Sequence, residues 1–503
     1  MRKTILAAAL AAAAAPALSA AQAPSPAPAA AAKPRPGFGA WGVDLTARDP
    51  AVRPGDSFFA HVNGGWLKRT QIEADQQVAG TTLDLHTLTQ EQLRSVIEDA
   101  ARSGGGATAA KVGGLYASFM DEARIERLDA APLKADLDAI RGLASHTELA
   151  AAMGRSHGAF GTSLFYFGAV PDLKGPKVYV AAMALTGMGL PDRDMYLAEQ
   201  FKPVREAYLA HIERTLGLAG WAEPKAAASA VMAFETAIAE ASWSRTELRD
   251  PNRNYKPMAV SALKAFAPAF DWSGWLRGAG APDTLERIIV SSDTAIPKAA
   301  SLYAATPLDT LKAWQAFHLV DQASPYLSKR FVDNNFAFSR LLTGREQLRP
   351  RWNRGVQLVD ASLGEALGQE YVKRHFPASS KAAMEALVAN LHKAMRARIE
   401  GAQWMSPKTR AAALEKLARQ RVKVGYPDKW RDYGALRIDP ADLYGNVERA
   451  GAFTHAFYSK RIGQPVDRDE WAMTPQTVNA YFNPLGNEIV FPAAMLQAPM
   501  FDP

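Results

Sequence analysis

Metal and nucleophile chemistry would show first in the spacing of a few residue types. The nine histidines are His61, His86, His146, His157, His211, His318, His375, His392 and His455. None stands in the H-E-x-x-H spacing that sets two imidazoles on one face of a helix. His211 with Glu213, and Glu370 with His375, are the nearest acid–histidine neighbours, and neither spacing gives ligand geometry on a helix. The chain holds no cysteine, which excludes disulfides and thiolate zinc sites together. It also lacks a G-x-x-x-x-G-K-[ST] phosphate loop and a G-x-S-x-G nucleophile elbow. Gly187-Met188-Gly189 begins like a dinucleotide fingerprint but runs into Pro191 and Asp192, so it reads as a turn. Its residues alone predict no catalytic group and no metal ligand in this chain.

One stretch does carry a binding chemistry. Residues 477–491 read as two short strands, rich in Val, Ile, Tyr and Phe, around the turn Asn483-Pro484-Leu485-Gly486-Asn487. Pro492 closes the second strand because it cannot donate to a ladder. A hairpin with a free edge can receive an extended peptide through main-chain pairing.

The elements that must hold this hairpin are mainly helical. A capping box, Thr89-x-x-Gln92, precedes the apolar stripe Leu93, Val96, Ile97 and Ala100, and Ser103 to Gly106 makes a flexible joint. A further helix is predicted over 109–120. Met384, Leu387, Val388, Leu391, Met395 and Ile399 recur at spacings of three and four, which predicts one buried stripe. Ser406-Pro407 supplies an N-cap and a first-turn proline for the next helix. Strand-like runs at 164–167 and 178–182 form one small hairpin. The arginines 340, 345, 349, 351 and 354, with Trp352 among them, read as a solvated helix end.

Composition sets the class. With 48% hydrophobic and 22% charged residues over 503 positions, the chain is long enough for two or three domains with ordinary soluble composition. Arg2 and Lys3, an apolar run over 5–15 and Ala21-Gln22-Ala23 give a signal peptide over 1–23. No cysteine follows it, so no lipid anchor is expected, and no later run is apolar and long enough to span a bilayer. The expectation is an exported protein, periplasmic or extracellular, with no membrane anchor after cleavage. Residues 24–37 (PSPAPAAAAKPRPG) form a Pro/Ala-rich linker. The net charge of +7 includes Arg2 and Lys3, and no nucleic-acid partner is expected.

Several stretches, in order, resemble the neprilysin/endothelin-converting-enzyme family of zinc metallopeptidases, bacterial members included. They are Gly55-Asp-Ser-Phe-Phe-Ala-His-Val-Asn-Gly-Gly-Trp-Leu67 and Leu190-Pro-Asp-Arg-Asp-Met-Tyr-Leu197, then Arg249-Asp250 with Tyr255. Trp404-Met405, Gly425-Tyr-Pro-Asp-Lys-Trp430, Val478-Asn-Ala-Tyr-Phe482 and Ile489-Val-Phe-Pro-Ala493 follow. The resemblance implies a mainly α, minor β, two-lobed peptidase around a central cavity that admits short peptides. One lobe would join the N-terminal segment 38–103 to a C-terminal catalytic part beginning at 431. Residues 104–430 would form a helical cap and the connections between lobes. It implies that Asn479 and Ala480 hydrogen-bond the substrate backbone. It also implies a zinc helix, a downstream glutamate ligand and a transition-state histidine, all of which would lie past residue 503. This chain is therefore expected to be the N-terminal portion of an exported zinc metalloendopeptidase, binding no zinc and catalytically inactive by itself. The alternative is a non-catalytic peptide-binding or interaction module. Family members often carry arginines for a substrate carboxylate after the Trp-Leu-Lys-Arg segment; aligned from Trp66, those positions hold Val78 and His86.

Overall fold

The computed structural model describes residues 43–103 and 106–502. The signal peptide, the linker and two glycines of the Ser103–Gly106 joint lie outside the described residues. Two hydrophobic cores divide the rest. One gathers buried residues from Leu133 to Phe338, with Tyr444 added from far along the chain. The other combines Leu93 to Ile125 with Val356 to Leu496. The chain thus enters one core, leaves to build the other, and returns. The fold is mainly helical with two small sheets, as the sequence predicts.

The intervening core carries a four-stranded sheet: β1 (Phe165–Asp172), β2 (Gly175–Leu185), β3 (Lys256–Ala259) and β4 (Arg287–Val290), in the order β1-β2-β4-β3. β1 and β2 form the expected hairpin, and β2 pairs in parallel with β4. Behind it sits a fully buried carboxylate, Glu235, on the helix Pro224–Ala241. One oxygen accepts from the hydroxyls of Tyr196 (2.6 Å) and Tyr208 (2.8 Å) and from the Gly189 N–H (3.1 Å). The other lies 2.8 Å from His318 Nε2. Burial, then the carboxylate itself, drives both phenols far above their usual range. This explains the stretch Leu190–Leu197: the Tyr196 hydroxyl also accepts from Leu190 N–H at 2.8 Å, and Asp192 caps the helix Arg193–Leu197. Gly189 must lack a Cβ, which would fall 1.9 Å from the Tyr208 hydroxyl.

The second core carries a three-stranded sheet: β5 (Arg421–Gly425), β6 (Tyr481–Asn483) and β7 (Glu488–Pro492), ordered β5-β7-β6. β7 runs parallel to β5 and antiparallel to β6. Between β5 and β7 lies a buried ion pair, Lys423 Nζ to Glu488 Oε2 at 2.7 Å, each side chain at most 7% exposed. Lys423 also donates to the Glu470 carbonyl (2.8 Å), and the other oxygen of Glu488 accepts from Asn483 Nδ2 (3.0 Å).

Three local expectations change. The helix expected to start at Thr89 spans Thr81–Ser103, and the Thr89 hydroxyl bonds the Leu85 carbonyl at 2.8 Å, a mid-helix habit of threonine. Its stripe at Leu93, Val96 and Ile97 is buried as predicted. On the helix Ala378–Glu400 only Met384 and Val388 reach the core; Leu387, Leu391 and Met395 are exposed. Periodicity tells which residues share a face, not what covers it. The arginine cluster is a solvated helix end only at Arg340, exposed in the last turn of the helix Lys329–Thr343. Arg351 donates to the Phe119 carbonyl and lies, with Arg354, over the Phe119 ring. Desolvation pulls Arg349, Arg351 and Arg354 below their usual range.

Two buried charges give stability predictions. Glu235→Ala strands His318 and two phenols and should lower the unfolding free energy by about 3–5 kcal/mol, read from urea denaturation; a loss below about 1 kcal/mol would contradict this role. Lys423→Ala should cost about 3 kcal/mol, whereas Lys423→Met combined with Glu488→Leu should recover most of that loss, because the pair's desolvation is removed with it. A double-mutant cycle measures the difference.

Candidate functional site

The site is built outward from the ion pair between β5 and β7. That pair fixes β7, and β7 fixes β6, whose outer side pairs with no strand among the described residues. Asn487, at φ 46°, closes the turn in the left-handed region, and its Nδ2 donates to the Lys416 carbonyl (2.9 Å). The expected hairpin is present, but its first strand is only Tyr481–Asn483. The preceding residues instead make a turn at 474–477, with Thr477 N–H on the Thr474 carbonyl, and Asn479 N–H reaches the Thr477 carbonyl, each at 3.0 Å.

Asn479 and Ala480 stand immediately before the free edge. Asn479 is exposed, and its Oδ1 accepts from the Ala480 N–H at 2.8 Å. Its side-chain NH2 has no partner among the described residues. An amide that can both donate and accept beside an unpaired edge suits a peptide backbone. The hairpin's apolar residues are covered more fully than an isolated edge would require: Val490 is fully buried, while Ile489 and Phe491 are half-buried. Phe482 alone points outward, 48% exposed.

On the Tyr481 and Asn483 face lies a cavity of about 270 Å3, walled by Tyr179, Arg461, Glu470 and Trp471. Tyr179 comes from β2 of the other core. It reaches here because residues 463–466 pair with β2: Tyr179 N–H donates to Gln464 O (2.9 Å), Gly463 N–H to Tyr179 O (2.8 Å) and Val466 N–H to Lys177 O (2.8 Å). Arg461 pairs with Glu470, whose same oxygen accepts from the Tyr179 hydroxyl at 3.2 Å. Phe457 is stacked between the guanidinium groups of Arg431 and Arg461, 4.1 and 4.3 Å from its ring centre. Both lobes therefore wall the space beside the edge strand.

The family resemblance implies zinc, which needs a convergent set of donor side chains. Among the described residues, no three His, Asp or Glu side chains come together as a metal site. The histidines are otherwise engaged. His211 meets Asp321 (2.7 Å) rather than Glu213, His318 meets Glu235 (2.8 Å), and Glu370 pairs with Lys373 (2.7 Å). His61, His146 and His455 bond backbone carbonyls, as does His157, whose burial lowers its pKa. The residues described do not fit the metal. Near Val78 stand the acidic side chains Glu73, Asp75, Asp84 and Glu91. His86 is lowered first by burial and then by the Arg349 guanidinium, which also donates to Gln76 Oε1 at 3.3 Å.

Sequence reasoning missed Gln476, Asp360, Lys423 and Glu488. The last two left a faint trace, a lysine between two valines in one strand and a glutamate opening another.

A sequence profile of Peptidase family M13 matches residues 54–427. Bovine (Bos taurus) endothelin-converting enzyme 1 is 30% identical over 485 residues, covering 91% of this chain and 63% of the enzyme. The chain thus spans less than two thirds of the length of that relative. Among solved structures, the crystal structure of the Mycobacterium tuberculosis zinc metalloprotease Zmp1 with an inhibitor superposes with a TM-score of 0.87. Its identity is 41%, over 92% of this chain and 71% of Zmp1. PepO from Lactobacillus rhamnosis shares the fold, with a TM-score of 0.82 at 23% identity over 90% of this chain and 72% of PepO. With a family profile spanning most of its length and a two-core helical fold to match, the chain belongs to peptidase family M13.

Proposed function

We propose that this protein serves an exported zinc metalloendopeptidase activity on short peptides, and that the residues described contribute peptide recognition rather than metal chemistry. The single observation that carries the reading is the unpaired edge of β6 with Asn479 and Ala480 at its start. A peptide laid along this edge would exchange main-chain hydrogen bonds with residues 480–483, and Asn479 would turn from Ala480 to the peptide backbone. The two-lobed walls around the edge support a preference for short, unfolded substrates. Export rests on the signal peptide at 1–23 and the linker at 24–37. Among the described residues no helix is long and apolar enough to cross a membrane.

A second reading is a peptide-binding module without turnover, which the same unpaired edge would serve. One experiment tests the recognition that both readings share. The purified chain is titrated calorimetrically with a short peptide, then assayed for bound zinc and for chelator-sensitive cleavage.

Binding without cleavage is expected, with Asn479→Ala weakening it roughly tenfold, the worth of one well-placed hydrogen bond. Stoichiometric zinc with chelator-sensitive turnover would overturn the assignment of these residues to recognition alone. Full affinity in Asn479→Ala would remove Asn479 from the site.

A further inference from the structure

The segment that carries Asn479 is seated on a helix that breaks its own rules to receive it. The helix Arg351–His375 is interrupted at Leu363, whose backbone (φ −132°, ψ 30°) is not helical. The break coincides with two glycines one turn apart. A Cβ on Gly364 would lie 2.7 Å from Thr474 Cγ2, and one on Gly368 would lie 2.8 Å from Gln476 Oε1 and 3.0 Å from Pro475 Cδ. The helix surface is therefore hollowed where residues 474–476 lie. Gln476, 3% exposed, fills the hollow. Its Nε2 donates to the Gly364 carbonyl at 2.7 Å and to Asp360 Oδ1 at 2.5 Å. The Pro475 carbonyl accepts from Ala494 N–H at 2.9 Å, tying the same loop to the exit of β7. From Gln476 to the peptide-facing Asn479 is one tight turn.

We infer that Asp360 is a positioning residue: through Gln476 it holds the loop that sets Asn479 and Ala480 against an incoming peptide. The inference rests on the peptide-binding reading of the β6 edge and adds how that edge is regulated. Burial under the loop raises Asp360 to about 6, and the only opposing influence is the Gln476 amide; no charged side chain contributes. Closing the loop over Asp360 is what raises it, so the proton favours the closed loop. Above that value the closed loop holds a buried carboxylate whose bond to the Gln476 amide only partly offsets its desolvation; below it the acid is neutral and that cost is gone. Acidification through pH 6 should therefore tighten the loop and strengthen peptide binding.

The test uses the full chain and a capped, neutral pentapeptide of alternating alanine and valine, so that the ligand itself does not titrate. Affinity is measured by calorimetry at pH 7.5 and 5. Hydrogen exchange over residues 474–483 is followed in parallel, corrected for the intrinsic pH dependence of exchange. In the wild type, loop closure should gain roughly tenfold between pH 7.5 and 5, so exchange over 474–483 should fall and affinity should rise by up to that factor. Asp360→Asn, a neutral isostere, should show the acid-level values at both pH values, and Asp360→Ala, which takes away the partner of Gln476, should exchange faster than the wild type in that segment only. The same pH step in Asp360→Asn, or unaltered exchange in Asp360→Ala, would overturn the assignment. Exchange that follows the expected pattern while no form binds peptide keeps the Asp360–Gln476 contact and overturns the peptide reading of the edge.

Discussion

The arrangement depends on a lysine and a glutamate buried between two parallel strands. A charge taken out of water costs several kcal/mol, and attraction to a partner offsets that only with close geometry and further hydrogen bonds. Lys423 and Glu488 meet both conditions: 2.7 Å apart, each also bonded to a neighbouring element. The consequence is register. Shifting β7 by one residue along β5 would turn Glu488 to the other face and leave Lys423 alone in the interior. Since β6 is paired only with β7, the position of the free edge is inherited from that one pair. Glu488 extends the same control into the turn through Asn483, and Lys423 extends it to the backbone at Glu470.

A second buried carboxylate performs the matching task in the other core. Glu235 collects a histidine, two phenols and a backbone amide, and so freezes the stretch Leu190–Leu197 onto the helix Pro224–Ala241. The two cores then meet through directional bonds. Residues 463–466 pair with β2, and the Tyr444 hydroxyl donates to Asp136 at 2.6 Å. Beside that contact burial, with Asp136 and Asp442 adding repulsion, pushes Glu448 up to about 7. The junction thus holds an acid that titrates near neutrality, at the place where the lobes are joined.

What the sequence made legible follows from the range of the forces involved. Most local signals hold, the capping box at Thr89 excepted. Ser406 caps its helix by accepting from Thr409 N–H, the strand-like runs at 164–167 and 178–182 fall on the β1–β2 hairpin, and the free-edged hairpin is present. The order of short stretches also carried the family. Remote pairings were not legible. Nothing near His318 in the chain announces Glu235, and nothing near Gln476 announces Asp360, because each pair is made by two elements folding together. The stripe at Leu387, Leu391 and Met395 failed for a related reason: it was read as a core face, and the covering surface is a tertiary fact.

The shortness of β6 is itself explained by this division. Val478 to Phe482 has the composition of a continuous strand, yet only Tyr481–Asn483 is paired. Extending the strand backward would pull Gln476 out of the hollow at Gly364 and Gly368, leaving its amide and the Gly364 carbonyl without each other in a buried place. That penalty is of the order of 1–3 kcal/mol per group, more than the roughly 0.5–1.5 kcal/mol of a ladder bond gained. The loop therefore wins over the strand. Asn479 and Ala480 are left as backbone and amide groups that no strand of the protein claims, adjoining an edge already held in register. On the proposed reading, a recognition surface for extended chain follows when a strand is stopped one turn early by a buried side chain that has a better partner elsewhere.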